Sequence, residues 1–168
     1  GVSSAASDVY KRQAYDLRPN RRLQLLTDVR FSTMATYMYE DAVKLPVALF
    51  VVELLTTVAR HEHENRQLFE FVDASIDVLE LDGEHTANFH LVFMTMLTRL
   101  VGIAPDEETY AAGSWLDLRE GCFTLLRPAH QDVAQPEVAR RIALFLRGGF
   151  EGVAMPMNRD ERNCCLLY

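Results

Sequence analysis

The densest run of potential metal ligands is His61, Glu62, His63 and Glu64, and its spacing decides what chemistry it could do. Residues two apart on a helix point about 200° away from each other. His61 and His63 therefore cannot face one ion, and the spacing of the zinc-protease signature H-E-x-x-H is not met. A solvated helix end, with Asn65 capping the element that follows, accounts for the run. A metal-dependent helical hydrolase would have to draw its ligands from His61, His63, His85 or His90. Carboxylates such as Glu53, Glu62 and Glu70 are plentiful, but an acidic helical chain always offers pairs about one turn apart. There is no glycine-rich phosphate loop and no G-x-S-x-G elbow. The expectation is a non-catalytic chain with no metal and no cofactor.

Composition narrows the class further. The 168 residues carry 49% hydrophobic composition and a net charge of −7, which suits one ordinary domain with a core of its own. The longest apolar run, Leu45 to Leu55, is broken by Pro46 and Glu53 and is too short to cross a bilayer. Residues 2–13, VSSAASDVYKRQ, resemble the translated library-adapter sequence found in metagenomic assemblies, and CLLY at the other end has the same look. Residues 1–13 are set aside as an artefactual, disordered or weakly helical tail that makes no core contacts. Without residues 2–13 the balance is 15 basic minus 23 acidic residues, or −8. That charge opposes broad binding to nucleic acid, which needs clustered Lys and Arg. Cys164 and Cys165 are vicinal and could rarely bridge without strain, so no disulfide framework is expected and a reducing cytoplasm fits.

The elements that would position any site are mostly helical. Thr86 to Gly102, TANFHLVFMTMLTRLVG, is the central helix. Phe89, Phe93, Met96, Leu97 and Leu100 share one face, with Asn88, Thr95, Thr98 and Arg99 beside it, and Gly102 is the stop. Thr86 or Asn88 would cap it. Thr33 to Glu62 reads as a short helix to about Lys44 and a longer one from Pro46. In the second of these, Val47, Leu49, Phe50, Val51, Val52, Leu54 and Leu55 run almost all round the axis, which predicts burial on several sides. Gln67 to Leu81 places Leu68, Phe69, Val72, Ile76 and Leu79 at helical spacing and stops at Asp82-Gly83. Residues 103–135 hold Pro105, Gly113, Gly121 and Pro128 and predict loops with a short hairpin between Trp115 and Leu125. Pro136 starts another helix with Val138, Ile142, Phe145 and Leu146 on one face, ended by Gly148-Gly149. Asn158 caps a last short helix. Ahead of them all, Leu23, Leu25, Thr27, Val29 and Phe31 alternate as in a strand.

The order ANFHLVFMTMLTRLVGIAP, then an extended tract, then MNRDERNCCL, resembles the carboxy-terminal helical domain of the RecO family of bacterial recombination and repair mediators. The resemblance covers about residues 14–166. It implies a mainly α, bundle-like fold, with residues 14–32 as the remnant of an amino-terminal OB-fold barrel and 33–168 as the helical domain, truncated at its end. Many relatives carry a four-cysteine zinc site in the extended tract. Here Cys122 and His130 supply at most two of the four ligands, so no zinc is expected. The family's function is non-catalytic: annealing of complementary strands and, with RecR, help for RecA in replacing the single-stranded-DNA-binding protein. Single-stranded DNA itself would be held by the barrel. The acidic tail of the single-stranded-DNA-binding protein calls for an apolar pocket rimmed by guanidinium groups. Arg99, helped by Arg60 or Arg66, with Val92 and Met96 at the pocket edge, is the site this implies. The other readings are a helical adaptor unrelated to DNA and the metal-dependent hydrolase above.

Overall fold

The computed structural model describes residues 3–8, 11–15, 26–31, 41–59, 65–81 and 86–168. The described residues are mostly helical, with two small sheets. The first sheet joins β1 (Ser3–Asp8), β2 (Lys11–Tyr15) and β3 (Leu26–Phe31) as an open antiparallel ladder with β2 in the middle. Of the tail expected over residues 1–13, residues 3–8 and 11–13 lie in β1 and β2. A strand such as β3 needs a partner for its edge groups, and β2 supplies one. The alternation read over Leu23 to Phe31 is a strand from Leu26 onward, and Leu23 and Leu25 lie outside the described residues.

Two helices flank the central one. The first, α1 (Lys44–Ala59), starts two residues before Pro46. Asp41 folds back over its beginning, Oδ1 accepting from the amides of Val43 at 2.7 Å and Lys44 at 3.1 Å, which satisfies amides that a helix start leaves open. Residues 41–43 are turn, and the rest of the short helix expected before Lys44 lies outside the described residues. Lys44 is buried and its Nζ donates at 2.8 Å to the carbonyl of Glu80. Glu80 sits in the last turn of α2 (Arg66–Leu81), where carbonyls are unpaired and a cation is favoured. Asn65 begins α2 as expected, its Oδ1 accepting from the amide of Leu68. The prediction that α1 is buried on several sides is corrected: Val51 is buried, but Leu49 is 61% and Val52 59% exposed. A single face of α1 packs on the central helix, and no described element covers the other. In α2 the aromatic that turns inward is Phe71, stacked on Phe93, whereas Phe69 is on the exposed side.

The central helix, α3 (Phe89–Leu100), follows a 3-10 turn at Thr86–Asn88. Phe89, Phe93 and Leu97 are buried as their spacing predicts. Gly102 stops it at φ 76°: the amide of Gly102 bonds to the carbonyl of Arg99 and that of Ile103 to Thr98, the paired closure that requires a left-handed residue. Asn88 stands at the cap position but does not cap with its side chain. Its Nδ2 instead donates to the carbonyls of Val153 and Met155, at 3.1 and 2.6 Å. Those carbonyls belong to and follow the 3-10 stretch Gly149–Ala154, which ends α4 (Pro136–Gly148). Pro136 opens α4 and Gly149, at φ 52°, closes it, both as predicted. The last helix, α5 (Arg159–Leu166), has Asn158 as cap in a reciprocal box with Glu161.

Between α3 and α4 lies the second sheet, with β4 (Trp115–Asp117) between β5 (Cys122–Thr124) and β6 (Val133–Ala134), all antiparallel neighbours. The β4–β5 hairpin is the one expected between Trp115 and Leu125. Inward Leu116 and Phe123 join the helical core.

Four rings bind these elements together: Phe93 stacks on Phe71 at 5.0 Å and on Phe89 at 6.0 Å, and Phe150 lies 5.8 Å from both Phe71 and Phe89. The chain carrying Phe150 can come this close because Gly152 has no Cβ. One built there would lie 2.7 Å from Phe145 Cδ1 and 3.4 Å from Val92 Cγ2. Gly152→Ala is therefore expected to destabilise the fold by about 1–3 kcal/mol through overpacking, measured by chemical denaturation, whereas Gly148→Ala, with nothing within 4 Å, should cost far less.

Candidate partner-docking site

The predicted docking residues do not form one surface. Val92 is fully buried, at 0% exposure, against the 3-10 stretch after α4, and so cannot stand at the edge of a partner's pocket. Its apolar branch is what Gly152 packs on. Met96 is half-buried and packs against the core beside Gly149. Arg66 is exposed and its Nε donates to Glu70 one turn along α2, a pair of small energetic worth. Arg60 lies outside the described residues, as do His61, Glu62, His63, Glu64 and His85.

Arg99 is half-exposed and paired with Glu107. It sits in the last turn of α3, where the open carbonyls favour a cation. One turn earlier on the same side is Thr95, which together with Thr98 lines a cavity of about 330 Å³. Other walls come from Leu91 and Met94 of α3, Ile103 and Pro105 after the helix stop, Leu116, Asp117 and Leu118 at β4, and Leu166 at the end of α5. The two threonine hydroxyls donate to the carbonyls of Leu91 and Thr95, so what these two side chains offer the cavity is methyl surface. Ile103 on its rim is 71% exposed.

A 3-10 turn, Glu107–Thr109, meets Arg99 at the end of α3. Asp106 caps it, Oδ1 accepting from the amide of Glu108, and the amide of Asp106 is tied to the carbonyl of Gly121 at 2.7 Å. Glu107 Oε1 accepts from Arg99 Nη2, and the backbone carbonyl of Glu107 accepts from Arg147 Nη2 at 2.9 Å. Arg147 in turn lies over the ring of Tyr110. Glu107 Oε2 is buried and has no hydrogen-bond partner.

The tract between Gly102 and Pro136 is held by hydrogen bonds around Asp117. Asp117 Oδ1 accepts from the amides of Arg119 and Glu120, and Oδ2 is 3.1 Å from His130 Nε2. The amide of Glu120, then that of Arg119 and the His130 ring, hold the Asp117 carboxyl below the usual carboxylate range against the opposing effect of burial. Cys122 lies across the ladder from Asp117. One thiol and a histidine already bonded to a carboxylate do not fit the tetrahedral thiolate set of a structural zinc. Among the described residues no group of three or more His, Cys, Asp and Glu could hold a metal ion. No described helix is long and apolar enough to cross a membrane.

The groove was not legible beforehand, because Ile103, Pro105, Leu118 and Leu166 come from segments with no shared periodicity. The available signal was an apolar residue, Ile103, directly after a glycine stop, where solvent exposure would make it costly.

Comparison with known proteins places this architecture. Residues 39–160 match the family described as "Recombination protein O C terminal". The chain is 37% identical over 153 residues to the DNA repair protein RecO of Bacteroides fragilis, covering 90% of this chain and 63% of that protein. It is 34% identical to RecO of Phocaeicola vulgatus, covering 90% and 64%. With RecO of Porphyromonas gingivalis the identity is 32%, covering 90% and 63%. No solved structure matches. The fold and these matches define a RecO-type carboxy-terminal helical domain, and the chain belongs to the RecO family. It spans about 63% of the length of the Bacteroides fragilis relative.

His90 generates a test of the fold. Burial, then the charge of Arg162, lower its pKa from the ordinary 6.5, and its ring meets Phe50 edge-on. The unfolded chain therefore binds more protons than the folded one below about pH 6.5. Stability rises with pH through that window and is lost as pH falls below it. His90→Phe should flatten the profile of urea midpoints between about pH 7 and pH 5.

Proposed function

We propose that the chain is part of a RecO-like recombination mediator that anneals complementary strands and, with RecR, helps RecA replace the single-stranded-DNA-binding protein. Its work is binding, not catalysis. The helical domain is the docking module, and β3 belongs to what remains of an OB-fold barrel through which single-stranded DNA would be held. The occupant of the groove is the acidic tail of the single-stranded-DNA-binding protein. One observation carries this reading: a largely apolar cavity lined by Thr95, Thr98 and Ile103 lies along the helix whose last turn carries the guanidinium of Arg99. A terminal apolar side chain fits the first part and carboxylates fit the second.

Family membership and this placement support Arg99 over Arg66, whose partner Glu70 is on its own helix. An aspartate-rich peptide ending in Phe should bind at low salt, and Arg99→Glu should weaken it by about tenfold. Unchanged affinity in Arg99→Glu removes this site. The same chain, with a net charge of −7, should bind a single-stranded oligonucleotide weakly. Tight, salt-sensitive binding by filter or anisotropy assay would reverse that expectation.

A further inference from the structure

The walls of the cavity beside α3 decide which charge it accepts. No Lys, Arg or His stands among the described residues that line it, and its one carboxylate residue is Asp117. That carboxyl is held below the usual range and is ionised at neutral pH. It already takes hydrogen bonds from the amides of Glu120 and Arg119 and lies against the ring of His130. Its oxygens therefore have little left to offer a cation, while its charge opposes an anion. The other polar walls are neutral. Thr95 and Thr98 direct their hydroxyl hydrogens to α3 carbonyls. Cys165 is buried, and burial above all pushes its thiol up from the ordinary 9.0, so it lines the cavity uncharged.

The deepest walls are apolar. Leu91, Leu116 and Phe145 are each almost fully buried, and they come from α3, β4 and α4. A space walled by three separately anchored elements is only partly closed by relaxation. At about 330 Å³ it stands at the lower end of small-ligand sites, which begin near ~300 Å³. It is about twice the size of the roughly 150 Å³ apolar cavity that holds one benzene ring.

We infer that this cavity is a binding site for a small uncharged molecule the size of two fused aromatic rings. The inference goes beyond the docking reading above, because it needs neither a carboxylate on the ligand nor Arg99. The rings lie against Leu91, Leu116 and Phe145, with Ile103 at the mouth. An apolar side chain from a docked partner needs the same walls, so the two occupants exclude each other.

Three probes that share a ring system and differ in charge make the test on the full chain: 2-naphthol, 2-naphthoate and 2-naphthylmethylamine, titrated by fluorescence or calorimetry at about pH 7. 2-Naphthol should bind at least about fivefold more tightly than either charged probe. Thr98→Phe, which fills the cavity, should weaken 2-naphthol by about tenfold. Ile103→Glu changes only the exposed rim and should weaken it as well; a retained thermal transition shows that each variant is folded. Location has its own readout. In a Cys122→Ser, Cys164→Ser background the remaining thiol is Cys165. Saturating 2-naphthol should slow its reaction with a neutral disulfide reagent, and 2-naphthoate at the same concentration should not. No binding of 2-naphthol, or binding that neither variant weakens and that leaves Cys165 unprotected, overturns the inference. Tighter binding of either charged probe overturns it too. The docking reading fails separately, by an acidic peptide whose affinity is unchanged in Arg99→Glu.

Discussion

The ring cluster of Phe71, Phe89, Phe93 and Phe150 is the constraint on which the rest depends. Helices of 12 to 16 residues are marginal by themselves in water, so α1, α2 and α3 persist only as they bury apolar faces against one another. The cluster takes one ring from α2, two from α3 and one from the 3-10 stretch after α4. It fixes the turn after α4 against the start of α3, and Asn88 reinforces the junction by donating both amide hydrogens to carbonyls of that stretch. Its Oδ1 remains buried without a partner. The side chain has thus been taken from capping, its usual work at such a position, and given to a long-range tie. This is a local rule overridden by tertiary packing.

What could be read from the sequence follows from how local its cause is. The buried face of α3, the Gly102 stop, the Pro136 start, the Gly149 end and the Asn158 box are each set by residues within a turn or two, and each stands where spacing put it. The errors lie where the deciding partner is distant in the chain. The all-round apolar pattern of α1 gave no means of telling Val51, which meets α3, from Leu49 and Val52, which no described element covers. Phe69 and Phe71 are equally apolar, and only the direction of α2 against α3 selects Phe71. The strand Val133–Ala134 is two residues long and exists because Leu116 and Asp117 offer an edge to pair with. No periodicity exists in two residues.

The docking residues show the same division in the language of charge. Arg99, Arg141 and Arg119 could each be read from the sequence as cations, but their partners Glu107, Glu161 and Asp132 come from other elements. Arg99 is therefore paired within the chain, and Val92, its expected apolar neighbour on the helix, is turned wholly inward. The cavity beside α3 is lined by Thr95, Thr98 and Ile103 among others, of which two look polar in a sequence. Their hydroxyls bond back to the helix, and what remains for a ligand is methyl surface.

The tract between Gly102 and Pro136 shows how such a loop-rich segment can be held without thiolates. A zinc knuckle gathers distant turns on one ion; here Asp117 gathers them through two backbone amides and the ring of His130, while Arg119 reaches Asp132 and Phe123 donates its amide to Thr109. A carboxylate stabilised by donated hydrogen bonds holds its charge to lower pH than usual, so the clasp is retained over the neutral range and loosens only in acid. Because the same tract carries the Glu107 turn, the order of this clasp is also what keeps a carboxylate poised at Arg99. The support of this tract is thereby one continuous set of hydrogen bonds, running from His130 and Asp117 through the hairpin and Gly121 to Asp106 and the end of α3.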